Sequence, residues 1–402
     1  MTIPLLFCGL LFLPPSGKDT RDVVVFKGGR TLQGRVLLER EKSLVFQQGS
    51  RKRTIQQKKI QSVRSVARSM REVLLAYKKM SDTDVQGLMK LAKKCRKAGL
   101  EHESSLFWWK VLFRKPDHEE ANLALGNTKV GGRWSTRGPR GSIPVNKVRD
   151  ASVTKGKPWK LRSEHVEIVC QGNLGQAVDL LLELEYEYLY FFLLLQPDLE
   201  FYEVLQPFKL AVFKDRASYP SMAGSVGAYF SPSDRTIYTY FVQGRANALH
   251  HEATHALMYM VTSGSVGSRG GLPAWLNEGL AEYMDGILRT GKGGRLDVEP
   301  TRLNRNHIRL IVATAGKKLY SVHRVLNFKS TDFGATSYQG LKYAQSYQLL
   351  HYLLNGSPDK TREKFMEYFK KAMQGQGQAS TFRKLLRSDY KSIETDYLLW
   401  GR

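Results

Sequence analysis

Two histidines and one glutamate stand at a spacing that could bind a metal ion and use it. The segment from Ala248 to Met258 contains His251, Glu252 and His255 in the order His-Glu-x-x-His. In a helix the two imidazoles lie one turn apart and can reach one ion, with the Glu252 carboxylate beside it. The neighbouring residues are mostly apolar, a pattern typical of a buried helix, in which idle polar groups are costly. This spacing suits zinc and hydrolytic chemistry, with Glu252 as the proton acceptor.

A second motif supplies a candidate third ligand. The sequence Trp-Leu-Asn-Glu-Gly-Leu-Ala-Glu-Tyr spans residues 275–283 and also reads as a helix, with Glu278 and Glu282 one turn apart. We expect Glu278 to join His251 and His255 as a zinc ligand. Three protein ligands leave one position of a tetrahedral zinc ion for water, which is typical of a catalytic site rather than a structural one.

Together the two motifs resemble the gluzincin zinc metallopeptidases, which include thermolysin-like and aminopeptidase-N-like enzymes. The residues of the second motif are most similar to those of the peptidase-MA-like relatives of these enzymes. The resemblance implies that His251, His255 and Glu278 bind zinc and that Glu252 is the general base. It also implies that Glu282 forms a hydrogen bond with a zinc histidine, with His251 as the expected partner.

The resemblance covers roughly residues 161–402 and has two departures. In this chain 22 residues separate His255 from Glu278, more than in the two well-known branches. The second motif also ends in Glu282, where thermolysin-like enzymes have aspartate. A spacer rich in glycine and serine, residues 262–271, is flexible enough to absorb the extra length.

A tyrosine is expected near the metal. Residues 338–354 form an apolar helical segment in which Tyr343 and Tyr347 are one turn apart. Tyr343 lies 65 residues after Glu278, which is similar to the separation of the catalytic tyrosine in aminopeptidase-N-like enzymes. The resemblance therefore implies that Tyr343 steadies the oxyanion, with Tyr347 as the alternative. His307, His323 and His351 have no spacing partners, so we interpret them as surface or core residues.

The elements that must position these residues make up an α+β protein in several parts. Residues 18–67 alternate in the manner of short strands and predict a small SH3-like β-barrel. Residues 68–130 change to a helical period and resemble a helical-repeat hairpin. Residues 131–160 collect glycine, proline and charge and predict a linker, so the two ends of the chain should be separable. Residues 161–402 then form the zincin-like peptidase domain.

A hairpin is predicted directly before the metal-binding helix. Residues 228–230 and 236–240 have strand character and flank a Ser-Pro-Ser-Asp-Arg turn. By resemblance, an edge strand here would pair with an extended peptide substrate. An ordinary sheet edge fits the same sequence equally well.

Charge is distributed unevenly along the chain. The formal net charge is +25, made up of +21 on residues 1–160, −8 on residues 161–285 and +12 on residues 286–402. The basic N-terminal region could bind an anionic polymer or surface, or it could simply be a solvated surface. No nucleic-acid-binding signature supports the stronger interpretation.

The first residues suggest export. Residues 3–13 form an apolar run that ends in Pro-Pro-Ser-Gly, so residues 1–17 predict a signal peptide rather than a transmembrane span. Export would make the protein periplasmic, extracellular or cell-surface bound. A buried N-terminal element is the alternative, because the run has no preceding lysine or arginine and no Ala-x-Ala site.

The sequence therefore predicts zinc-dependent hydrolysis of peptide bonds, with a peptide or protein as substrate. One alternative is a non-catalytic scaffold or binding protein that works through its basic N-terminal modules and carries an inactive zincin domain. The intact set of ligands and base argues against that alternative. A zinc hydrolase acting on a non-peptide amide is a third possibility that the sequence leaves open.

Overall fold

A computed structural model gives the architecture of the chain. It describes residues 21–401 apart from residues 82, 140, 152, 154–156, 220–226, 247, 263–271, 291–293, 315–318 and 335–336. The predicted signal peptide and most of the spacer between the two motifs lie outside the described residues. Within the described residues the chain forms 14 α-helices and 16 strands. This mixture, with an antiparallel sheet at the N-terminal end, agrees with the predicted α+β class.

The N-terminal unit is a five-stranded antiparallel sheet with its own small core. Its strands run in the order β4-β3-β2-β1-β5. Alternate residues point inward because successive strand side chains face opposite sides, and Val24, Leu44 and Phe46 are fully buried between them. The strands are β1 (Asp22–Phe26), β2 (Thr31–Glu39), β3 (Ser43–Gln48), β4 (Arg51–Gln56) and β5 (Ile60–Arg64).

Four helices follow the sheet directly. The hydroxyl of Ser65 caps the first helix by accepting the Arg68 amide, and Asp84 caps the second by accepting the Gly87 amide. These helices are α1 (Val66–Lys78), α2 (Val85–Lys97), α3 (Glu101–Leu112) and α4 (Glu119–Ala124). The helical period predicted for residues 68–130 therefore corresponds to four separate short helices.

The segment predicted as a linker differs from that expectation. It contains two strands of a three-stranded antiparallel sheet, whose first strand ends at Val130, and a short helix. Gly131 and Gly132, with φ of 58° and 80°, form the turn between the first two strands. These glycines therefore form a defined turn between strands rather than a flexible connection. Trp134 and Trp159 are buried in the main core. The elements are β6 (Thr128–Val130), β7 (Arg133–Gly138), β8 (Gly141–Pro144) and α5 (Val145–Val148).

A mixed sheet and one long helix form the centre of the C-terminal unit. Three neighbouring strands are parallel, and antiparallel strands close both edges in the order β12-β13-β11-β10-β9. The long helix α6 (Leu174–Leu199) connects β10 to β11 and is buried along most of its length. The strands are β9 (Trp159–Arg162), β10 (Val166–Cys170), β11 (Phe208–Phe213), β12 (Tyr229–Ser231), β13 (Thr236–Val242) and β14 (Arg245–Ala246), which pairs with β13.

The rest of the C-terminal unit is mostly helical. Its elements are α7 (Leu249–Thr262), α8 (Ala274–Ile287), β15 (Leu288–Thr290), β16 (Leu296–Val298), α9 (Arg305–Thr314), α10 (Val322–Leu326), α11 (Gln339–Asn355), α12 (Asp359–Ala372), α13 (Ala379–Leu385) and α14 (Tyr390–Leu399). Helices α8 and α11 approach closely at Gly279, where an added Cβ would lie 2.7 Å from the Ser346 carbonyl oxygen. Glycine at this position therefore permits the two helices to pack.

The N-terminal helices and the C-terminal unit share one hydrophobic core. The Tyr77 ring lies between Phe107 of α3, at 5.1 Å, and Tyr186 of α6, at 6.3 Å between ring centroids. The Tyr186 hydroxyl donates to the Leu74 carbonyl at 2.7 Å. All of these side chains belong to a single buried cluster, so α1 and α3 form part of the packing around α6.

In the part of the chain that the structure describes, no helix combines the length and apolarity needed to cross a lipid bilayer. The 26-residue helix α6 is the longest, and it buries three glutamates, Glu183, Glu185 and Glu187.

Candidate functional site

Three side chains from two helices converge on one point. His251 and His255 lie on α7, and their Nε2 atoms are 3.1 Å apart. The Oε2 atom of Glu278, on α8, is 3.4 Å from each of these nitrogens. The three side chains are 14–16% exposed, so water can reach them. Of the His, Cys, Asp and Glu side chains that the structure describes, these three are the one group whose ligand atoms lie close enough together to share an ion.

The separation of these three atoms fits a zinc ion. Tetrahedral ligands at about 2.0–2.1 Å from zinc are separated from one another by about 3.3–3.4 Å. The observed separations of 3.1, 3.4 and 3.4 Å agree with that spacing. Two imidazole nitrogens and one carboxylate oxygen are also a donor set that zinc accepts. The predicted ligands are thus brought together in a geometry that could hold the metal.

The charges at this point favour a cation. Burial alone would raise the pKa of Glu278, but its contacts with His251 and His255 lower that pKa to about 2. Burial lowers the pKa of His251, while the Glu278 and Glu282 carboxylates raise it well above its usual range. The carboxylates that raise this pKa favour positive charge at His251, so a metal cation would compete there with a proton, because only a neutral imidazole binds metal.

The carboxylate of Glu252 connects the ligand helix α7 to an edge strand. Its Oε2 atom accepts the Phe230 amide of β12 at 2.8 Å. Within the described part of the chain, β12 is an edge strand whose ladder runs to β13. The ring of Phe230 packs against Tyr259, with centroids 5.6 Å apart. Glu252 thus lies next to the ligands and next to the strand that was predicted to pair with substrate.

Glu282 bridges two histidines. Its Oε1 atom is 3.2 Å from His251 Nδ1, and its Oε2 atom is 2.7 Å from His307 Nε2. Burial would raise the pKa of Glu282, but the two imidazoles lower it to about 2. Glu282 therefore touches the outer nitrogen of a candidate ligand, on the side away from Glu278. This is the contact expected from the sequence.

The position of His307 differs from the expectation from sequence. No nearby residue marks it as part of a site, so the sequence alone predicts a surface or core residue. The structure brings His307 to Glu282 although 25 positions separate them along the chain. Contacts between residues so far apart in the sequence depend on how α8, α9 and α11 pack. The spacing of residues within one segment does not predict that packing.

A second histidine that no local pattern marks, His250, belongs to the ligand helix α7 itself and contacts α6. His250 Nδ1 is 2.7 Å from Glu187 Oε2, and His250 Nε2 is 3.1 Å from Glu183 Oε1, both on α6. Thr254 donates to the His250 carbonyl at 2.8 Å. Burial lowers the pKa of His250, but the two carboxylates raise it well above the usual range. A buried charged cluster thus fixes the helix that carries His251 and His255 against α6.

The two candidate tyrosines have different surroundings. The Tyr343 ring centroid is 6.1 Å from that of His251, and its hydroxyl donates to the Phe333 carbonyl at 3.2 Å. Tyr347 is fully buried, its hydroxyl accepts the Asn304 amide at 2.7 Å, and its ring lies against His307. Tyr343 is therefore the tyrosine that packs beside a candidate ligand.

Comparison with known proteins assigns no activity. Residues 245–377 match a family model whose description is protein of unknown function (DUF1570). The matched region contains both motifs, His307 and Tyr343, and it covers about a third of the chain. No curated protein matches the sequence.

Proposed function

We propose that this protein is a zinc-dependent peptidase. The observation that carries the proposal is the ligand triangle of His251, His255 and Glu278, with Glu252 beside it at an edge strand. The spacing of the three atoms supports zinc binding. Glu252 follows His251 on α7, and its charge raises the pKa of His251, which supports a proton acceptor close to the three ligands.

Each residue would have a separate task. His251, His255 and Glu278 would hold the zinc ion, which when bound lowers the pKa of water and polarises a substrate carbonyl. Glu252 would accept a proton from the attacking water and return it to the leaving amine. Its hydrogen bond from Phe230 would hold the carboxylate in place between these two transfers.

The substrate would lie along β12. An edge strand offers backbone groups outside the sheet ladder that an extended peptide can satisfy by adding a further strand, although the Phe230 amide of β12 already donates to Glu252. The Glu252 carboxylate contacts the same strand through Phe230, so a peptide placed there would pass the proton acceptor. This supports a peptide substrate over an isolated small amide.

The decisive experiment separates metal binding from chemistry. Zinc content and cleavage of a peptide library would be measured for wild type, Glu252→Gln and Glu278→Ala. Glu252→Gln should keep its zinc and its fold but lose nearly all cleavage, because an amide cannot accept the proton. Glu278→Ala should lose zinc, because it removes one of three ligands. Glu363→Gln, an exposed glutamate on α12, is the matched control and should behave as wild type.

Two results would contradict the proposal. Full cleavage by Glu252→Gln would remove the assigned proton acceptor. Zinc binding by the wild type without cleavage of any library peptide would instead favour a non-catalytic scaffold or binding protein.

A further inference from the structure

We propose that His307 is a positioning residue of the metal site that acts through Glu282. By holding one oxygen of the Glu282 carboxylate, His307 would keep the other oxygen on His251 and so aim the His251 Nε2 atom at the metal. This inference rests on the proposed metal site and extends it to a residue of α9, which has no recognisable motif.

The geometry of Glu282 carries the first step. A carboxylate can rotate about its last bond, so one fixed oxygen determines where the other points. The shorter contact of Glu282 is to His307, at 2.7 Å, and the longer one is to His251, at 3.2 Å. His307 is therefore placed to set the orientation of the carboxylate.

The orientation of His251 follows from that of Glu282. When His251 Nδ1 donates a hydrogen bond to Glu282, the lone pair of a neutral ring remains on Nε2, the atom that faces His255 and Glu278. A carboxylate in this position fixes both the tautomer and the direction of the ring, and it makes the ligand nitrogen more basic. If the Glu282 carboxylate is no longer held in this orientation, metal binding should therefore become weaker.

His307 is itself held firmly. Its ring packs on Tyr347, with centroids 5.1 Å apart, and Tyr347 is fully buried in α11. The Tyr347 hydroxyl accepts the Asn304 amide, and the Asn304 side chain accepts the His307 amide at 3.4 Å in the first turn of α9. The start of α9 is thus fixed to α11, which gives His307 a defined position relative to Glu282.

His307 does not belong to the ligand group itself. Within the described residues, the atoms that could share one ion come from His251, His255 and Glu278. An ordinary ion pair between His307 and Glu282 would contribute to folding and leave metal affinity unchanged. The two possibilities therefore differ in what a metal titration measures.

The test compares three substitutions in the full-length protein, with Zn²⁺ affinity measured by competition with a chromophoric chelator. The amide nitrogen of glutamine can reach the position of imidazole Nε2, whereas that of asparagine lies near Nδ1. His307→Gln should therefore bind zinc nearly as tightly as wild type. His307→Asn and His307→Leu should bind it about 10- to 100-fold more weakly. Thermal unfolding of the metal-free proteins would show that each variant is folded.

A double mutant identifies the route. If His307 acts through Glu282, then Glu282→Gln combined with His307→Leu should weaken zinc binding no more than Glu282→Gln alone. His323→Leu, which removes an exposed histidine of α10, is the control and should bind zinc as wild type does.

The outcomes separate this inference from the proposed function. Unchanged zinc affinity in a folded His307→Leu protein would overturn the positioning role and leave the peptidase proposal standing. Weaker affinity in that variant, together with zinc binding but no cleavage by wild type, would support the positioning role and overturn the peptidase proposal. Failure of the wild type to bind zinc would overturn both.

Discussion

At the scale of single residues, the side chains around the candidate metal site differ in how firmly they are held. Glu282 uses both carboxylate oxygens, on His251 and on His307. Glu252 accepts a hydrogen bond from the Phe230 amide. The Tyr343 hydroxyl donates to the Phe333 carbonyl, so it must leave that partner to reach a substrate. Tyr343 would thus change its hydrogen-bond partner during the proposed reaction, and a substitution can test this.

Tyr343→Phe should lower kcat with little change in zinc content. Burial, together with the charge of Glu278, raises the pKa of the Tyr343 hydroxyl, so it stays protonated and able to donate. Removing one donor to an oxyanion costs about 3 kcal/mol, or about 100-fold in rate. Steady-state kinetics on a cleaved library peptide would measure the loss.

The matched control for that variant is Tyr347→Phe. It removes the hydroxyl that accepts the Asn304 amide, which should cost about 1 kcal/mol of folding free energy and change kcat much less. Equal turnover by Tyr343→Phe and wild type would assign the oxyanion contact to another group.

Local spacing explains which site residues could be predicted. His251 and His255 are four positions apart, and so are Glu278 and Glu282, so helical periodicity places each pair on one face. That His251 meets Glu282 followed from resemblance, and the structure shows the contact. The partners of His250 lie 63 and 67 positions away, beyond anything that a local pattern can encode.

At the scale of helices, the contact between α6 and α7 depends on buried charge. Glu183 and Glu187 are one turn apart on α6, and both contact His250. On another side of the same helix, Glu185 contacts the buried His165 at 2.7 Å. These pairs explain how Glu183, Glu185 and Glu187 can be buried along the mostly apolar helix α6. Buried charges are tolerated when they are paired.

Glu187→Leu should lower the free energy of unfolding, by less than the roughly 3–5 kcal/mol expected when a buried charge is left wholly unpaired. The substitution leaves the buried His250 with one carboxylate instead of two, and α7 loses part of its attachment to α6. Urea denaturation followed by circular dichroism would measure the change.

Replacing all three residues tests whether pairing is the cause. Glu183→Leu, Glu187→Leu and His250→Leu together remove every charge of the cluster, so much of the lost stability should return. If the triple variant is less stable than wild type by the sum of the three separate losses, packing rather than charge pairing holds the two helices.

The strands and helices themselves were easier to predict than their packing. Alternation in residues 22–64 and the helical period after residue 66 both match observed elements. Residues 131–160 predict a linker because they collect glycine, proline and charge. In the structure Gly131 and Gly132 make a tight turn between short strands. Whether such glycines form a turn or a loose loop depends on whether the flanking residues pack into a core.

At the scale of the whole molecule, the shared core changes the expected point of separation. The sequence suggested that the C-terminal unit would fold without residues before 155. In the structure, α1 and α3 pack against α6 in the main core, whereas the first sheet has a core of its own. The boundary between the two main hydrophobic cores therefore lies near Ser65, where the sheet ends and α1 begins. The sheet still contacts the C-terminal unit, since the Leu37 carbonyl accepts the Glu203 amide and Leu37 packs near Leu205.

Two truncated proteins test this boundary. Residues 65–402 should unfold cooperatively with ordered near-UV circular dichroism. Residues 157–402 should lose that signal, because they expose the face of α6 that Tyr77 and its neighbours cover. Near-UV spectra and urea titrations of both proteins measure the difference. A native-like spectrum for residues 157–402 would show that the shared core is dispensable and would restore the boundary expected from sequence.

Gly279 has a practical consequence for anyone who wishes to transplant this site. The glycine inside the second motif lies against the Ser346 carbonyl of α11, so the motif is shaped for one particular neighbour. Copied into a scaffold without that neighbour, the same nine residues would set Glu278 at an uncontrolled distance from the two histidines. A transferable unit must therefore include α7, α8 and the stretch of α11 around Ser346.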